Sequence, residues 1–331
     1  DSRDNYYMTG LRPPPKAETT SRVFLRFVVL VLLLIAAGAA IWTTVTLDRI
    51  ELIEDVSLGD LENDAVETAS GTVLNVMRQG EGAVPLVLLH DVDVAGGVIW
   101  DGVVDELDPR FSVMRVDLPG FGLSPRIPEE GSRHTVASMA EEVSDVIQQS
   151  FGQPAVVAGI GLGGEVAAEI AVIHPDLVAG LVMLDVDFFK PRAWDEFVER
   201  LPWVGIAATY ALETGGPLAA GRWAPNCESG GWCPTSSQIQ ARNRAETIVD
   251  TSESIHFFRR TPAASQVPSK LGEITTPTSY LWSQAGDVPR ESVDRVQEAM
   301  PAATVEVVTQ AWKAHLDTPG VVASTIAGFL Q

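Results

Sequence analysis

The sequence has few of the residues from which metal centres and nucleic-acid surfaces are built. Its 331 residues include only two cysteines and five histidines, which argues against an elaborate metal site, and we expect no metal and no cofactor. Lysine and arginine total 23, against 44 aspartates and glutamates, giving a formal net charge of −21. Because nucleic-acid binding needs a basic surface, we expect no nucleic-acid partner. The acidic excess indicates a solvated exterior and identifies no partner.

Charged residues are absent from residues 27–45. This run is long enough to cross a bilayer as a helix, and it is longer than the apolar region of a cleaved signal peptide. Basic residues precede it and acidic residues dominate after it, so the positive-inside rule predicts a cytoplasmic N-terminus. We therefore predict a cytoplasmic tail over 1–22, a single-pass transmembrane helix over 23–45, an acidic connector over 46–68 and a globular domain that is periplasmic or extracellular.

Glycines interrupt the most apolar stretch of the globular part. Residues 155–160 are a strand-like apolar run, Gly161 follows, and an alanine-rich helical pattern begins at Leu162. The pattern predicts a strand, a very tight turn and a helix.

The same stretch also matches the dinucleotide-binding fingerprint, through Gly159, Gly161 and Gly164. The acidic residues Asp185 and Asp187 follow the next strand-like run, where a ribose partner would stand. A Rossmann fingerprint normally sits on the first strand of its unit, whereas several strand-like runs precede this one. Dinucleotide binding is therefore a third, less favoured hypothesis.

Three motifs resemble those of the α/β-hydrolase family. Gly159-x-Gly161-x-Gly163 stands where the family has Gly-x-Ser-x-Gly, the nucleophile elbow. Residues 117–124 resemble its Asp-x-x-Gly-x-Gly-x-Ser loop, and residues 174–178 resemble its His-Pro-Asp-x-Val segment. The resemblance implies the α/β fold class, as a mostly parallel sheet with helices on both faces.

By the same resemblance, the core covers residues 69–190 and 271–331. Between its two parts, tryptophan, proline and glycine become frequent over residues 191–270, where the family carries a cap insertion over the active site. Cys227 and Cys233 lie close together there, on the predicted exported side, and predict a disulfide; free buried thiols are the alternative.

The family's catalytic triad has a nucleophile, an acid and a histidine in that chain order. Here the central elbow residue is Gly161, which has no side chain that can attack. Asp287 matches the acid. Counting back from the acidic residue and proline before the last helix places Trp312 at the histidine position, and His315 in the same loop is the alternative base.

The oxyanion region also departs from the family. His90-Asp91 follows an apolar strand where the family usually has His-Gly. With Val92 and Leu162, these residues mark the vestigial oxyanion hole. A carboxylate there opposes a developing oxyanion.

These departures predict a catalytically inactive, membrane-anchored α/β-hydrolase-like protein, a pseudoenzyme. It would be a structural or binding subunit of a membrane assembly outside the cytoplasm, attached to the membrane through 23–45 and to protein partners. The alternative is an atypical hydrolase of a lipid or small ester, which would use Asp287 and His315.

Overall fold

The computed structural model divides into two compact units, Asp1–Arg49 and Ile50–Gln331. The structure describes residues 26–31, 34, 37–38, 64–127, 135–189, 202–214, 223–260, 265–309 and 311–330. In the first unit, residues 26–31, 34 and 37–38 are helical, and Phe27 and Leu34 are exposed. The predicted tail, much of the range 23–45 and most of the connector lie outside the described residues. Within the described part of the chain, no helix is both long and apolar enough to span a bilayer, so the predicted transmembrane helix is not shown.

The second unit is built on one sheet of eight strands. They are β1 Asp64–Glu67, β2 Val73–Gln79, β3 Val84–Leu89, β4 Phe111–Val116, β5 Ala155–Ile160, β6 Val178–Leu184, β7 Thr278–Ser283 and β8 Thr304–Val308. Their order across the sheet is β1-β2-β4-β3-β5-β6-β7-β8. Strand β2 is antiparallel to β1 and β4, and every later pairing is parallel. The mostly parallel sheet predicted from the motifs is confirmed.

Helices cover both faces of this sheet. The α-helices are α1 Asp101–Asp105, α2 Val136–Phe151, α3 Leu162–Ile173, α4 Pro202–Glu213, α5 Ser236–Glu246, α6 Thr251–Arg260, α7 Val267–Lys270, α8 Arg290–Ala299, α9 Ala314–Asp317 and α10 Pro319–Ala327. Short 3₁₀ helices are Gly96–Trp100, Pro175–Leu177, Cys227–Ser229, Leu271–Glu273 and Gly328–Leu330.

The central strands are apolar because both of their faces are buried. In β3, Val87 and Leu89 join the core cluster that contains α2 and α3, whereas Leu86 and Leu88 join the cluster on the opposite face. Successive side chains of a strand point to opposite faces, so a continuous apolar run fills both layers. The carboxyl ends of β3, β5, β6 and β7 therefore lie side by side at one edge of a buried sheet.

Helices α4, α5 and α6 belong to the predicted cap range. Phe258 of α6 packs edge to face on Phe121 of the core, with ring centroids 5.6 Å apart. Arg126, which follows the core loop, donates to the hydroxyl of Thr251 at 2.7 Å and to the carbonyl of Ala245 at 2.9 Å. Burial lowers the pKa of Arg126 to about 10. These contacts join α5 and α6 to the core segment that follows β4.

The predicted disulfide is confirmed. Cys227 and Cys233 are joined, with Cα atoms 4.7 Å apart, and they close a short loop of the cap. Both residues precede α5, and Cys233 is exposed.

Candidate active site at the strand ends

The turn between β5 and α3 has the geometry of a nucleophile elbow. Gly161 has φ 50° and ψ −117°, and its N–H donates to the carbonyl of Leu184 at 3.0 Å. A Cβ atom at Gly159 would overlap the backbone of Gly163, and one at Gly163 would overlap the backbone of Leu89. These two glycines let the helix approach the strands as closely as a sharp strand-to-helix turn requires.

The space above Gly161 is filled by the side chain of Asp91. A Cβ atom added at Gly161 would overlap the Asp91 carboxyl group. One carboxylate oxygen, Oδ1, accepts a hydrogen bond from the backbone N–H of Leu162 at 3.0 Å. A carboxylate from the end of β3 thus occupies the place that an elbow side chain would take after β5.

His90 fixes the backbone of Asp91. Its ring is fully buried, and Nε2 accepts a hydrogen bond from the Leu118 N–H at 2.9 Å. The ring proton therefore lies on Nδ1. Nδ1 then donates to the Asp91 carbonyl at 2.5 Å. Because both of its ring nitrogens are hydrogen-bonded to the backbone, His90 is a structural residue and is not available as a catalytic base.

Lys313 brings a cation close to Asp91. Its Nζ lies 3.9 Å from Asp91 Oδ2 and 5.0 Å from the centroid of the Trp312 ring. The backbone N–H groups of Trp312 and Lys313 both donate to Asp317 Oδ2, at 2.8 and 3.2 Å. Asp317 therefore holds the loop that places Lys313 beside Asp91. Sequence reasoning missed Lys313, although its position next to Trp312 was the available signal.

Asp185 is a second carboxylate near this group, with an unusual positive φ of 49°. It accepts the N–H and the hydroxyl of Ser283, each at 2.6 Å. Burial raises the pKa of Asp185 to about 6; the negative charge of Asp91 adds to the rise, while the Ser283 bonds and Lys313 oppose it. The hydroxyl of Ser283 in turn accepts the Ala314 N–H at 2.9 Å, which ties Asp185 to the loop that carries Lys313.

Of the two candidate histidine positions, Trp312 faces the cavity and His315 does not. Trp312 lines the cavity together with the half-buried Asp91 and the exposed Asp287. His315 is buried, with its ring 5.5 Å from that of Trp100. Burial, with Lys313 nearby, holds the pKa of His315 well below its usual range. The alternative base His315 is thus separated from the site because α9 turns its side chain into the core.

A cavity of about 350 Å³ lies between the strand ends and the cap. Core residues lining it are Asp91, Val92, Asp93, Val94, Asp287, Trp312 and Lys313; cap residues are Leu212, Trp223, Arg242, Ile255 and Arg259. Its wall therefore combines carboxylates, cations and apolar side chains. Within the described ranges, no group of three or more metal-binding side chains is placed to hold a metal ion.

The geometry does not favour dinucleotide binding at the glycine pattern. The first amide of α3, on Leu162, is occupied by the Asp91 carboxylate, whose charge would repel a phosphate. Asp185, one of the two expected ribose partners, has both carboxylate oxygens bonded to Ser283.

Solved structures share this arrangement of strands. A thioesterase domain from the curacin biosynthetic pathway has a TM-score of 0.63 and 18% identity, covering 81% of this chain and 99% of that one. E-2-(acetamidomethylene)succinate hydrolase has a TM-score of 0.61 and 21% identity, covering 81% and 98%. The family described as alpha/beta hydrolase fold matches residues 85–205. The protein has the α/β-hydrolase fold.

The curated relatives are named as esterases. Pimeloyl-(acyl-carrier protein) methyl ester esterase of Aeromonas hydrophila subsp. hydrophila is 27% identical over 253 residues, which are 72% of this chain and 91% of the relative. The enzyme of the same name from Yersinia enterocolitica is 40% identical over 103 residues, 31% of this chain and 36% of the relative. That from Vibrio vulnificus is 37% identical over 135 residues, 41% and 46%. The chain thus spans about a third to a half of the latter two relatives.

These relatives contradict the prediction of a catalytically inactive structural or binding subunit, and that prediction is wrong. Gly161 itself supplies no reactive group at the elbow. In the structure, Asp91 brings a carboxylate to that place from the neighbouring strand. The alternative prediction, an atypical hydrolase, agrees better with the relatives.

Proposed function

We propose that the protein hydrolyses small esters, with Asp91 as the general base. The observation that carries this proposal is the carboxylate of Asp91 above Gly161, bonded to the Leu162 N–H at the wall of a cap-covered cavity. The esterase names of the relatives support an ester as the substrate. The cavity of about 350 Å³ suits a small ester better than a bulky lipid.

In this mechanism the nucleophile is a water molecule, because Gly161 has no side chain. Asp91 takes a proton from the water as its oxygen attacks the ester carbonyl carbon. The bond from that carbon to the alcohol oxygen then breaks, and Asp91 returns the proton to the leaving alcohol. The products are a carboxylic acid and an alcohol, and Asp91 is again ionised.

Lys313 stabilises the negative charge that develops on the carbonyl oxygen. Its ammonium group lies 3.9 Å from Asp91 Oδ2, so a carbonyl beside Asp91 is within reach of this cation. A fixed positive charge in a partly closed site stabilises such an oxyanion more strongly than water does. Lys313 thereby replaces the Leu162 amide, which is engaged by Asp91.

The test is hydrolysis of p-nitrophenyl acetate and of a dicarboxylic acid methyl ester by the full chain. Asp91→Asn keeps the size of the side chain and removes its basicity, so we expect turnover to fall by about 10²-fold or more. Asp176→Asn, at an exposed residue outside the cavity, makes the same chemical change and should leave turnover unchanged.

Two results would contradict the proposal. One is full activity in Asp91→Asn. The other is covalent labelling of the unmodified protein by a fluorophosphonate with loss of its esterase activity, because that probe reports an activated serine rather than a carboxylate base.

A further inference from the structure

The disulfide-closed loop 227–233 lies against a wall of the cavity. Trp232 in this loop packs edge to face on Trp223, with ring centroids 5.4 Å apart and planes at 87°. Trp223 lines the cavity, whereas Trp232 lines a second groove, and Trp312 borders both. The two rings therefore connect the disulfide loop to the space that receives the ester.

Trp223 is also joined to two polar residues of the cavity wall. Its indole Nε1 donates to Asp93 Oδ2 at 3.0 Å. The guanidinium carbon of Arg242 lies 4.8 Å from the Trp223 ring centroid. Because Asp93 and Arg242 both line the cavity, a displacement of Trp223 would change the shape and the charge of this wall together.

The loop has little secondary structure to hold Trp232 in place. It contains one 3₁₀ turn, Cys227–Ser229, followed by two glycines, of which Gly230 has φ 91°. Gly231 N–H donates to the Asn226 carbonyl at 2.8 Å. The disulfide restricts the remaining freedom of this short loop and so limits the positions open to Trp232.

We propose that Trp232, held by the Cys227–Cys233 disulfide, is a positioning residue that fixes Trp223 and restricts the cavity to esters with short acyl chains. This inference rests on the proposed function for its substrate class. Trp232 acts through Trp223 and has no part in bond breaking.

The size of the substrate that the cavity accepts then depends on the redox state of the loop. A dithiol reagent attacks the exposed Cys233 sulfur as a thiolate, the sulfur–sulfur bond breaks, and the second thiol closes the reagent into its cyclic disulfide. Two cysteine thiols remain. Reduction then removes the restraint on Trp232 without an amino-acid substitution.

The experiment measures binding of methyl ketones, which resemble esters and cannot be hydrolysed. Calorimetry gives the dissociation constants of 2-undecanone and 2-pentanone for the full chain. The ratio compared is the dissociation constant of 2-undecanone divided by that of 2-pentanone. In Trp232→Ala, and in the dithiol-reduced protein, this ratio should fall by about tenfold, because a wider cavity accepts the longer chain. Trp232→Phe keeps an aromatic ring against Trp223 and should retain most of the original ratio.

Ile239→Ala is the matched control, since it removes an exposed apolar side chain (43% accessible) from the same cap, outside the cavity. Near-ultraviolet circular dichroism checks that Trp232→Ala loses the signal of the paired indoles while the thermal transition persists. An unchanged ratio in both Trp232→Ala and the reduced protein would overturn the inference. A shifted ratio in a protein that hydrolyses no ester would support the inference and contradict the proposed function, so the two failures are distinguishable.

Discussion

At the residue scale, Gly161 and Asp91 share one position that a single reactive side chain fills in a serine hydrolase. Leu89 of β3 pairs with Gly159 of β5, so the residues two places further along both strands face each other at the sheet edge. Glycine at the elbow is what leaves room for the carboxylate. A side chain at the elbow and the Asp91 carboxylate in this position therefore exclude each other.

Restoring the serine alone should harm the site. In Gly161→Ser the new Cβ would overlap the Asp91 carboxyl group, and the positive φ of 50° would cost about 1–3 kcal/mol for a residue with a side chain. We expect a lower free energy of unfolding by chemical denaturation and slower hydrolysis of p-nitrophenyl acetate. Gly328→Ser is the control, because Gly328 has φ −56° and nothing within 4 Å of its added Cβ. Faster hydrolysis by Gly161→Ser would contradict the account.

At the scale of elements, the short helix α9 and the loop before it separate the residues that line the cavity from those that pack in the core. Its preceding loop presents Trp312 and Lys313 to the cavity, while His315 on the helix packs beneath, on Trp100. His315 Nδ1 is buried and has no hydrogen-bond partner within the described residues. A neutral imidazole tolerates this place, whereas a protonated one would bury an unpaired charge.

The packing of α9 should therefore weaken in acid. The pKa of His315 is lowered in the folded state, so below the unfolded value of about 6.5 the unfolded chain binds the extra proton. Stability present above that pH is lost as the pH falls, with a slope of at most about 1.4 kcal/mol per pH unit. Asp185 contributes to stability with the opposite sign, because its pKa is raised to about 6 in the folded state. This contribution is present at low pH and is lost as the pH rises through 6.

His315→Leu isolates the histidine contribution, since Asp185 is present in both proteins. Chemical denaturation of both proteins is measured between about pH 5.5 and 7.5, about one unit either side of the free histidine pKa. The free energy of unfolding should fall less steeply in acid for His315→Leu than for the unmodified protein. Identical slopes in the two proteins would show that His315 is not the buried neutral group described above.

At the scale of the whole molecule, the sheet and the elbow were predictable because their signals are local. Apolar runs, glycine spacing and the motif order predicted the parallel strands and the turn at Gly161. The placement of the Asp91 carboxylate above Gly161 was not predictable, because it depends on the direction of a side chain leaving a neighbouring strand. The position of Trp223 beside Trp232 likewise depends on how the cap folds back over the core.

Other features of the whole chain stay predictions. Membrane attachment through residues 23–45, a globular domain outside the cytoplasm and protein partners rest on the sequence alone. The boundaries of the core and of the cap insertion are likewise untested. None of these features enters the proposed mechanism.

The most direct test of the central claim is chemical rescue of Asp91→Gly. This variant removes the carboxylate and leaves a space above Gly161 that a small carboxylate such as formate can fill. We predict that Asp91→Gly hydrolyses p-nitrophenyl acetate slowly and that added formate raises its rate in a saturable way, while chloride at equal ionic strength does not. Formate should leave the rate of the unmodified protein unchanged. Full activity in Asp91→Gly without formate would contradict the claim that Asp91 is the base.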